Sequence, residues 1–590
     1  MVYDSLDLGH LAIKVACLYI NDEELTDSEA VEFIELIDGY LTKYESDNEK
    51  NKFIYLDKAG STDRIIFVVS GMLGFLQSEK LNPQNQKKVK DLIKRTFVNL
   101  QYQEAKFYVK TKKNFLGNFI DQDLKIILSK RKDLKIKYKN LVSKIYSQVS
   151  SNMDNNLIID KKKLEKKLKN LNNKIILNYP EFSNINKIKI HRIKEIQNNL
   201  ADDEALIYFI NEESQQSFVI TNKEFWSHTN IKSSLVAGRT KSWLDKLNKL
   251  TFKKNDDSEL KNTGALIYDS IFKNTFKGIK NKRSVYIIAD KYYSNFPFEM
   301  LITTERNFLK SNVSTKFNED FEARYLIEDY NIKYLPNIDT FMNLERSSKT
   351  RITSVSKFLG VGDPKFLNNI VKSSSSDEEI SFLRGGFIKD TKVISERYDE
   401  LPFTGKELKE IGEIFNKASL LTREKASEKN IKDLNLKDYD VISFATHAEV
   451  FGSFKDFNEP FLVLSPPKKS SQNDDGLLTT SEISELDLDA ELVILSACNT
   501  SSKSNKYAAG FSGLINSFFA AGSKSVIATH WPVEDEAGYL LMSETMKKVI
   551  NFDQSISVAL QNTKIEFIKG KYGEKFKKPL FWAPYVYVGL

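Results

Sequence analysis

The feature that most constrains the fold is a series of short apolar runs beyond residue 200. Each run has the length of a buried β-strand, and segments of helical periodicity separate most of them. Strands that alternate with helices are typical of a mostly parallel sheet with helices packed against it. We therefore predict strands at 205–210, 216–220, 284–289, 332–335, 358–361, 441–445, 461–464, 492–495, 525–528 and 585–588.

The residues before the first strand show a helical pattern instead. Segment 28–44 has apolar residues at helical spacing, and segments 65–76 and 89–107 follow similarly. Helix pairs of tetratricopeptide type fit this region, although no repeat of fixed period is found. Heptad-like apolar residues over 121–173 predict two long helices that fold back on each other as a hairpin.

These changes of pattern divide the chain into regions. Its 590 residues are too many for one core and indicate about three or four domains. We predict a helical, tetratricopeptide-like region at 1–118, a long helical hairpin at 119–198, and two α/β regions at 199–345 and 346–590.

The overall charge gives little reason to expect a nucleic-acid partner. The chain has 87 basic and 80 acidic residues, a formal net charge of +7 spread over its whole length. Basic residues cluster at Lys130–Lys139 and Lys161–Lys169, which we interpret as solvated faces of long helices. Binding of RNA or DNA is the alternative interpretation of these clusters, and direct contact with nucleic acid is not our expectation.

Cysteine usage favours a reducing, cytoplasmic environment. Cys17 and Cys498 lie far apart and form no disulfide framework or CxxC pair, so no structural metal site is predicted. The first residues do not resemble a signal peptide, and no apolar stretch has the length of a membrane span. We expect no cofactor and no membrane association.

Two predicted strands end on residues that suit nucleophilic catalysis. In parallel sheets, sites form at the carboxyl ends of strands, and His447 and Cys498 follow two such ends. A thiol is mostly protonated near neutral pH and needs a base, so we predict Cys498 as nucleophile and His447 as general base. Backbone N–H groups of Cys498 and of Ala448 or Glu449 are the predicted oxyanion donors. The open alternative is that Cys498 is a small buried apolar residue and His447 a satisfied core residue.

A family resemblance strengthens the catalytic interpretation. Phe444-Ala-Thr-His-Ala448 resembles the histidine motif of the CHAT domain, a bacterial branch of the caspase and separase family of cysteine peptidases, and Leu495-Ser-Ala-Cys-Asn-Thr500 resembles its cysteine motif. The helical region before residue 200 resembles those that accompany such domains. Further segments that fit the family in order are 179–181, 203–205, 288–290, 296–299, 360–364, 401–405, 475–483, 510–514, 521–522, 531–537 and 581–589.

The resemblance implies a fold and a catalytic pair. It implies a caspase-like α/β/α sandwich whose inactive half, 199–345, precedes a catalytic half, 346–590. By the same resemblance His447 is the general base and Cys498 the nucleophile. A glycine commonly follows the family's histidine, whereas this chain has Ala448, whose backbone N–H is retained.

The resemblance also implies a pocket for the residue before the cut. Trp531 and Asp535 fall where separase-like enzymes build this pocket, and a carboxylate there favours Arg or Lys in the substrate. The alternative is that Asp535 caps a helix that begins at Glu536. His530 stands where an apolar or small residue is expected, and we interpret it as lining the pocket rather than as a competing base.

The resulting functional hypothesis is a site-specific cysteine endopeptidase that cleaves a protein substrate. A protein or ribonucleoprotein activator bound at the helical region would release it, in bacterial defence or cell-death signalling, including a CRISPR-associated setting. The alternative is a catalytically weak scaffold that binds partners through its helices. Nucleotide binding through Gly360-Val-Gly362 is disfavoured because the third glycine of the fingerprint is missing.

Overall fold

The computed structural model describes most of the chain from residue 190 onward and two long helices before it. The described ranges, apart from isolated residues between them, are 27–50, 81–116, 190–210, 214–231, 234–249, 256–289, 296–304, 323–344, 352–366, 397–449, 460–471, 474–496 and 509–590. The chain forms two compact units, Met1–His191 and Arg192–Leu590.

The first unit contains a pair of packed helices, α1 (Asp27–Lys50) and α2 (Pro83–Leu116). Both helices were predicted, and both extend beyond the predicted segments because polar residues continue the helical turns. Arg95 of α2 ties the pair together, since its guanidinium donates to both carboxylate oxygens of Glu45 at 3.0 and 2.8 Å. The helix predicted at 65–76 and the hairpin predicted at 119–198 lie outside the described residues except for isolated positions and residues 190–198.

The second unit is an α/β structure. Its strands are β1 (Glu204–Ile210), β2 (Ser214–Thr221), β3 (Phe225–Ile231), β4 (Ser284–Ala289), β5 (Asn331–Leu335), β6 (Lys357–Pro364), β7 (Lys417–Arg423), β8 (Val441–Ala445), β9 (Ala448–Glu449), β10 (Phe461–Val463), β11 (Leu477–Thr479), β12 (Leu492–Leu495), β13 (Val526–Thr529) and β14 (Tyr585–Val588).

Helices connect most of these strands. They are α3 (Ile193–Asn198), α4 (Ser234–Lys249), α5 (Asp256–Ile267), α6 (Lys273–Lys277), α7 (Leu326–Asp329), α8 (Ile338–Asn343), α9 (Thr404–Glu413), α10 (Glu428–Lys432), α11 (Thr480–Glu485), α12 (Ala509–Ala521), α13 (Asp535–Asn551), α14 (Ile556–Ile568) and α15 (Pro579–Trp582). A π-helical turn, Tyr268–Phe272, joins α5 to α6. None of the helices in the described part of the chain combines enough length with enough apolar character to cross a membrane.

One mixed sheet of eleven strands forms the centre of this unit, in the order β3-β2-β1-β4-β5-β14-β13-β12-β8-β6-β7. Most neighbours are parallel, whereas β1–β2, β2–β3 and β13–β14 are antiparallel. The final strand β14 lies between β5 and β13 and pairs with β5 at Val588↔Tyr334. The sheet is therefore continuous across the two predicted α/β regions, and the α/β fold class is confirmed.

Each predicted strand is present, although one of them belongs to a different sheet. Strand β10 lies in a separate three-stranded sheet, in the order β11-β10-β9. The sequence did not predict β3 and β7, the two edges of the large sheet, or β9 and β11, the short outer strands of the small sheet. An edge strand is partly solvated and carries polar residues, so it lacks the continuous apolar run of β8 or β12, whose residues are all buried.

Candidate active site

The carboxyl ends of three parallel strands meet at one edge of the large sheet. Strand β8 pairs with β6 on one side and with β12 on the other, and the register places Phe444 opposite Leu495. His447 is three positions after Phe444, and Cys498 is three positions after Leu495. The described chain of β12 ends at Ser496, so Cys498 itself lies outside the described residues.

His447 occupies the turn between β8 and β9 and is only 8% exposed. Its Nε2 lies 2.7 Å from the backbone carbonyl oxygen of Asp399. A carbonyl oxygen only accepts hydrogen bonds, so Nε2 carries the hydrogen and Nδ1 of the neutral ring has a free lone pair. Among the residues that the structure describes, none forms a hydrogen bond with Nδ1.

Burial lowers the pKa of His447 below its usual value, because the charged imidazolium loses hydration. The carbonyl of Asp399 and the negative charges of Asp399 and Asp535 act in the opposite direction. The imidazole is therefore neutral near pH 7, as a general base must be before it takes a proton.

Two aromatic side chains enclose the imidazole. The ring centroid of Tyr398 lies 5.2 Å from that of His447, and the centroid of Phe366 lies 6.1 Å from it. The Tyr398 hydroxyl donates to Oε1 of Glu449 at 3.1 Å. Tyr398, Asp399 and Phe366 are not among the predicted site residues. Two segments that resemble the family lie close to them, because 360–364 ends two positions before Phe366 and 401–405 begins two positions after Asp399.

Asp535 is the first residue of α13 and lies near this edge. Its Oδ2 accepts a hydrogen bond from the backbone N–H of Phe403 at 2.8 Å, which ties the start of α13 to the residue before α9. The residue in the cap position of α13 is Glu534. Burial raises the pKa of Asp535, and the carboxylate interacts electrostatically with His447 and Asp363.

His530 and Trp531 follow β13 and are buried, with exposed fractions of 3% and 1%. The His530 ring packs edge-on against Tyr334 of β5, with centroids 5.6 Å apart, and stacks on Trp531 at 6.0 Å. Burial lowers the pKa of His530 to about 3, so this imidazole is neutral at ordinary pH. The predicted pocket roles of Trp531, His530 and Asp535 stay predictions.

A buried carboxyl group lies beside the end of β12. Oε2 of Glu407 accepts a hydrogen bond from the Ser496 hydroxyl at 3.0 Å, and that hydroxyl also lies 2.9 Å from the Tyr585 hydroxyl. Burial raises the pKa of Glu407 to about 8, so the group is protonated at pH 7. The sequence holds a signal for this residue, because Thr404, Glu407, Leu408 and Ile411 share one buried face of α9.

Within the described ranges, no group of three or more His, Cys, Asp or Glu side chains is arranged to hold a metal ion. The arrangement around His447 suits proton transfer to and from a side chain that follows the neighbouring strand.

A comparison with protein families agrees with the sequence motifs. A family model described as "CHAT domain" matches residues 263–590, more than half of the chain. The chain is also similar to separase in the crystal structure of the Saccharomyces cerevisiae separase–securin complex, with a TM-score of 0.38, 10% identity, and coverage of 99% of this chain and 48% of that chain.

A second similar structure is the Arg-specific cysteine proteinase gingipain R, with a TM-score of 0.30, 10% identity, and coverage of 60% of this chain and 75% of that chain. The present chain thus spans about half of the separase chain, 48% of its length. No curated protein sequence matches it. On the extent of the family match, and with the histidine and cysteine motifs in their expected order, the chain belongs to the CHAT domain family.

Proposed function

We propose that the protein is a cysteine endopeptidase in which His447 activates Cys498. The observation that carries this proposal is the hydrogen bond from Nε2 of His447 to the Asp399 carbonyl. That bond leaves Nδ1 of the neutral ring without a hydrogen and able to accept a proton. The imidazole lies at the sheet edge where β12, the strand preceding Cys498, also ends.

The proposed reaction uses the two side chains in sequence. Nδ1 of His447 takes the proton from the Cys498 thiol, and the thiolate attacks the carbonyl carbon of the scissile bond. Backbone N–H groups of Ala448 and Cys498 stabilise the oxyanion. The imidazolium then protonates the departing amine, and water, deprotonated by His447, hydrolyses the thioester and regenerates the thiol.

The first test is cleavage of a peptide library by the wild type, Cys498→Ala and His447→Gln, with mass-spectrometric detection. We expect cuts by the wild type that both variants lose, and Cys17→Ser as the matched control should cut like the wild type. Cuts that persist in Cys498→Ala would refute the proposal. If neither the wild type nor any variant cleaves a peptide, the deciding readout is alkylation of Cys498 by a thiol-reactive peptide probe. Alkylation that depends on His447 supports the peptidase hypothesis, and its absence favours the scaffold hypothesis.

We propose that the substrate carries a basic residue immediately before the scissile peptide bond. Asp535 would contribute the charge, because its Oδ2 accepts from the backbone of Phe403 while Oδ1 forms no hydrogen bond with the described residues. Asp363 adds negative charge nearby but is itself paired with Arg423 at 3.1 Å. Trp531 and His530 would form apolar walls. A carboxylate in such a pocket favours Arg or Lys through charge-assisted hydrogen bonds.

Asp535→Asn tests this preference, since the amide oxygen still accepts from Phe403. Cleavage after Arg or Lys should fall at least about 10-fold, because a hydrogen bond to a charged group contributes roughly 1.5–3 kcal/mol. Cleavage after apolar residues should not fall. Asp487→Asn, an exposed aspartate paired with Lys437, is the control. An unchanged preference in Asp535→Asn would exclude this residue as the specificity determinant.

For regulation we propose a cytoplasmic enzyme that a protein or ribonucleoprotein partner activates through the helical region before residue 192. The setting would be bacterial defence or cell-death signalling, with a CRISPR-associated effector as one form of activator. Support for this comes from the family resemblance and from the helices α1 and α2. Activity that appears only when a candidate partner is added, and that needs residues 1–191, would support it.

A further inference from the structure

We infer that Tyr398 and Glu449 are positioning residues for His447, and that they hold the Asp399 carbonyl where it fixes the imidazole in the tautomer with a bare Nδ1. The inference rests on the proposed role of His447 as general base and adds the residues that orient it.

The contacts form a closed ring around the imidazole. Nε2 of His447 donates to the Asp399 carbonyl at 2.7 Å, and the adjacent residue, Tyr398, lays its ring 5.2 Å from the imidazole. The Tyr398 hydroxyl reaches Oε1 of Glu449 at 3.1 Å. Glu449 in turn is only two positions after His447. The carbonyl that orients the base is therefore tied back to the segment that carries the base.

That segment is itself anchored. Strand β9, which contains Glu449, pairs with β10 through Glu449↔Phe461, and the His447 carbonyl accepts a hydrogen bond from the Val463 N–H at 2.8 Å. Glu449 is 1% exposed. A buried carboxylate on a paired strand is a fixed acceptor, so the Tyr398 hydroxyl has one defined position.

The surrounding charges are consistent with this role. Arg397 approaches Glu449 at 3.9 Å, and Asp399 and Asp535 are the charged groups that act on His447. Burial raises the pKa of the Tyr398 hydroxyl above its usual value, so it remains a donor over the working pH range. Tyr398 packs its ring against His447 and bonds Glu449 through its hydroxyl, so we assign it a positioning role rather than a catalytic one.

The test is nitrogen NMR of the full chain labelled with [15N]histidine, which gives signals from five residues. His447→Gln identifies the His447 signals, and long-range correlations report which nitrogen carries the hydrogen. The wild type should show hydrogen on Nε2. Tyr398→Phe, which keeps the ring and removes the hydroxyl, should give a mixture of tautomers, shift the acid limb of the pH–rate profile, and lower kcat about 10-fold or more with little change in KM.

Glu449→Gln should behave almost like the wild type, because its amide oxygen still accepts from Tyr398, whereas Glu449→Ala should behave like Tyr398→Phe. The double variant Tyr398→Phe/Glu449→Ala should be no worse than either single one. Tyr439→Phe is the matched control. Tyr439 precedes β8, and its hydroxyl donates to Ser419 at 3.2 Å rather than to a residue that contacts His447.

An unaltered His447 tautomer in both Tyr398→Phe and Glu449→Ala would overturn the inference, even if these variants were less stable. The NMR readout does not depend on turnover. A wild type that shows neither peptide cleavage nor His447-dependent alkylation of Cys498 would therefore contradict the proposed function, and the tautomer would still decide whether these residues position His447.

Discussion

At the scale of single residues, Glu407 shows how burial changes the chemistry of a carboxyl group. It is 2% exposed, and among the described residues its hydrogen-bond partner is the Ser496 hydroxyl rather than a cation. An ionised carboxylate in this place would lose its hydration without compensation, so the protonated form is favoured and the pKa rises to about 8. The nearby Asp535 raises it further.

Glu407→Gln should therefore change how stability depends on pH. The folded protein keeps a proton on Glu407 that the unfolded chain releases near its usual pKa, 4.5. Between the pKa of 4.5 in the unfolded chain and the pKa of about 8 in the folded protein, the free energy of unfolding falls as pH rises. Glu407 contributes a slope of up to ~1.4 kcal/mol per pH unit. Glu407→Gln should lose this pH-dependent decline. In urea unfolding experiments from pH 5 to pH 8, the free energy of unfolding of the variant minus that of the wild type should therefore increase with pH.

The matched control for this measurement is Glu410→Gln, three positions later in α9. Glu410 pairs with Lys547, and its pKa lies below the usual value, so it does not titrate in this pH range. Its removal changes stability by a constant amount there. An equal slope in Glu407→Gln and the wild type would show that Glu407 is ionised in the folded protein.

At the scale of secondary structure elements, the site depends on a close approach of β6 to β8. A Cβ atom added at Gly362 would lie 2.2 Å from the Ala445 carbonyl oxygen, far inside contact distance. Ala445 is the last residue of β8 and lies two positions before His447. Glycine at 362 thus permits the backbone spacing that places the histidine turn at the sheet edge.

Gly362→Ala should consequently destabilise the protein by about 1–3 kcal/mol, the usual cost of overpacking a core. Because the displaced atom belongs to β8, peptidase activity should fall as well. Gly238→Ala is the control, since a Cβ at that position in α4 meets nothing within 4 Å. It should be neutral or stabilise by up to ~1 kcal/mol. Urea denaturation measures both, and equal stability of the two variants would contradict the prediction.

At the scale of the whole second unit, a buried ion pair joins distant parts of the chain. Glu299 lies in a 3-10 turn between β4 and β5, and Lys564 lies in α14; their side chains are 2% and 0% exposed and 2.9 Å apart. Lys564 also donates to the Tyr585 carbonyl of β14. The pair therefore reinforces the position at which β14 closes the sheet against β5.

Lys564→Met should cost about 3–5 kcal/mol, because it leaves Glu299 buried without its cation. Lys564→Met/Glu299→Gln should recover much of this loss. Lys246→Met, which removes a partly exposed pair with Glu259, should change stability by less than about 1 kcal/mol. Denaturation of the full chain, with hydrogen exchange to locate the loss in β5 and β14, measures these effects. A Lys564→Met loss no larger than that of Lys246→Met would show that the pair contributes little.

The sequence by itself determined the buried strands and the order of the motifs. A strand covered on both faces must be apolar throughout, so β8 and β12 were visible as continuous runs, and the polar residues after them, His447 and Cys498, marked the candidate site. The edges β3 and β7 were missed, since solvation of one side removes the apolar signal.

Only the tertiary structure decided how the site is oriented. The group that fixes the His447 tautomer is the backbone carbonyl of Asp399, and every residue has a carbonyl, so no residue type signals it. Tyr398 and Glu449 are 51 positions apart and meet through folding alone. The insertion of β14 between β5 and β13 also brings β14 beside β5, a distant part of the chain to which local pattern cannot relate it. Local sequence specifies which residues are buried, whereas long-range pairing specifies which of them touch.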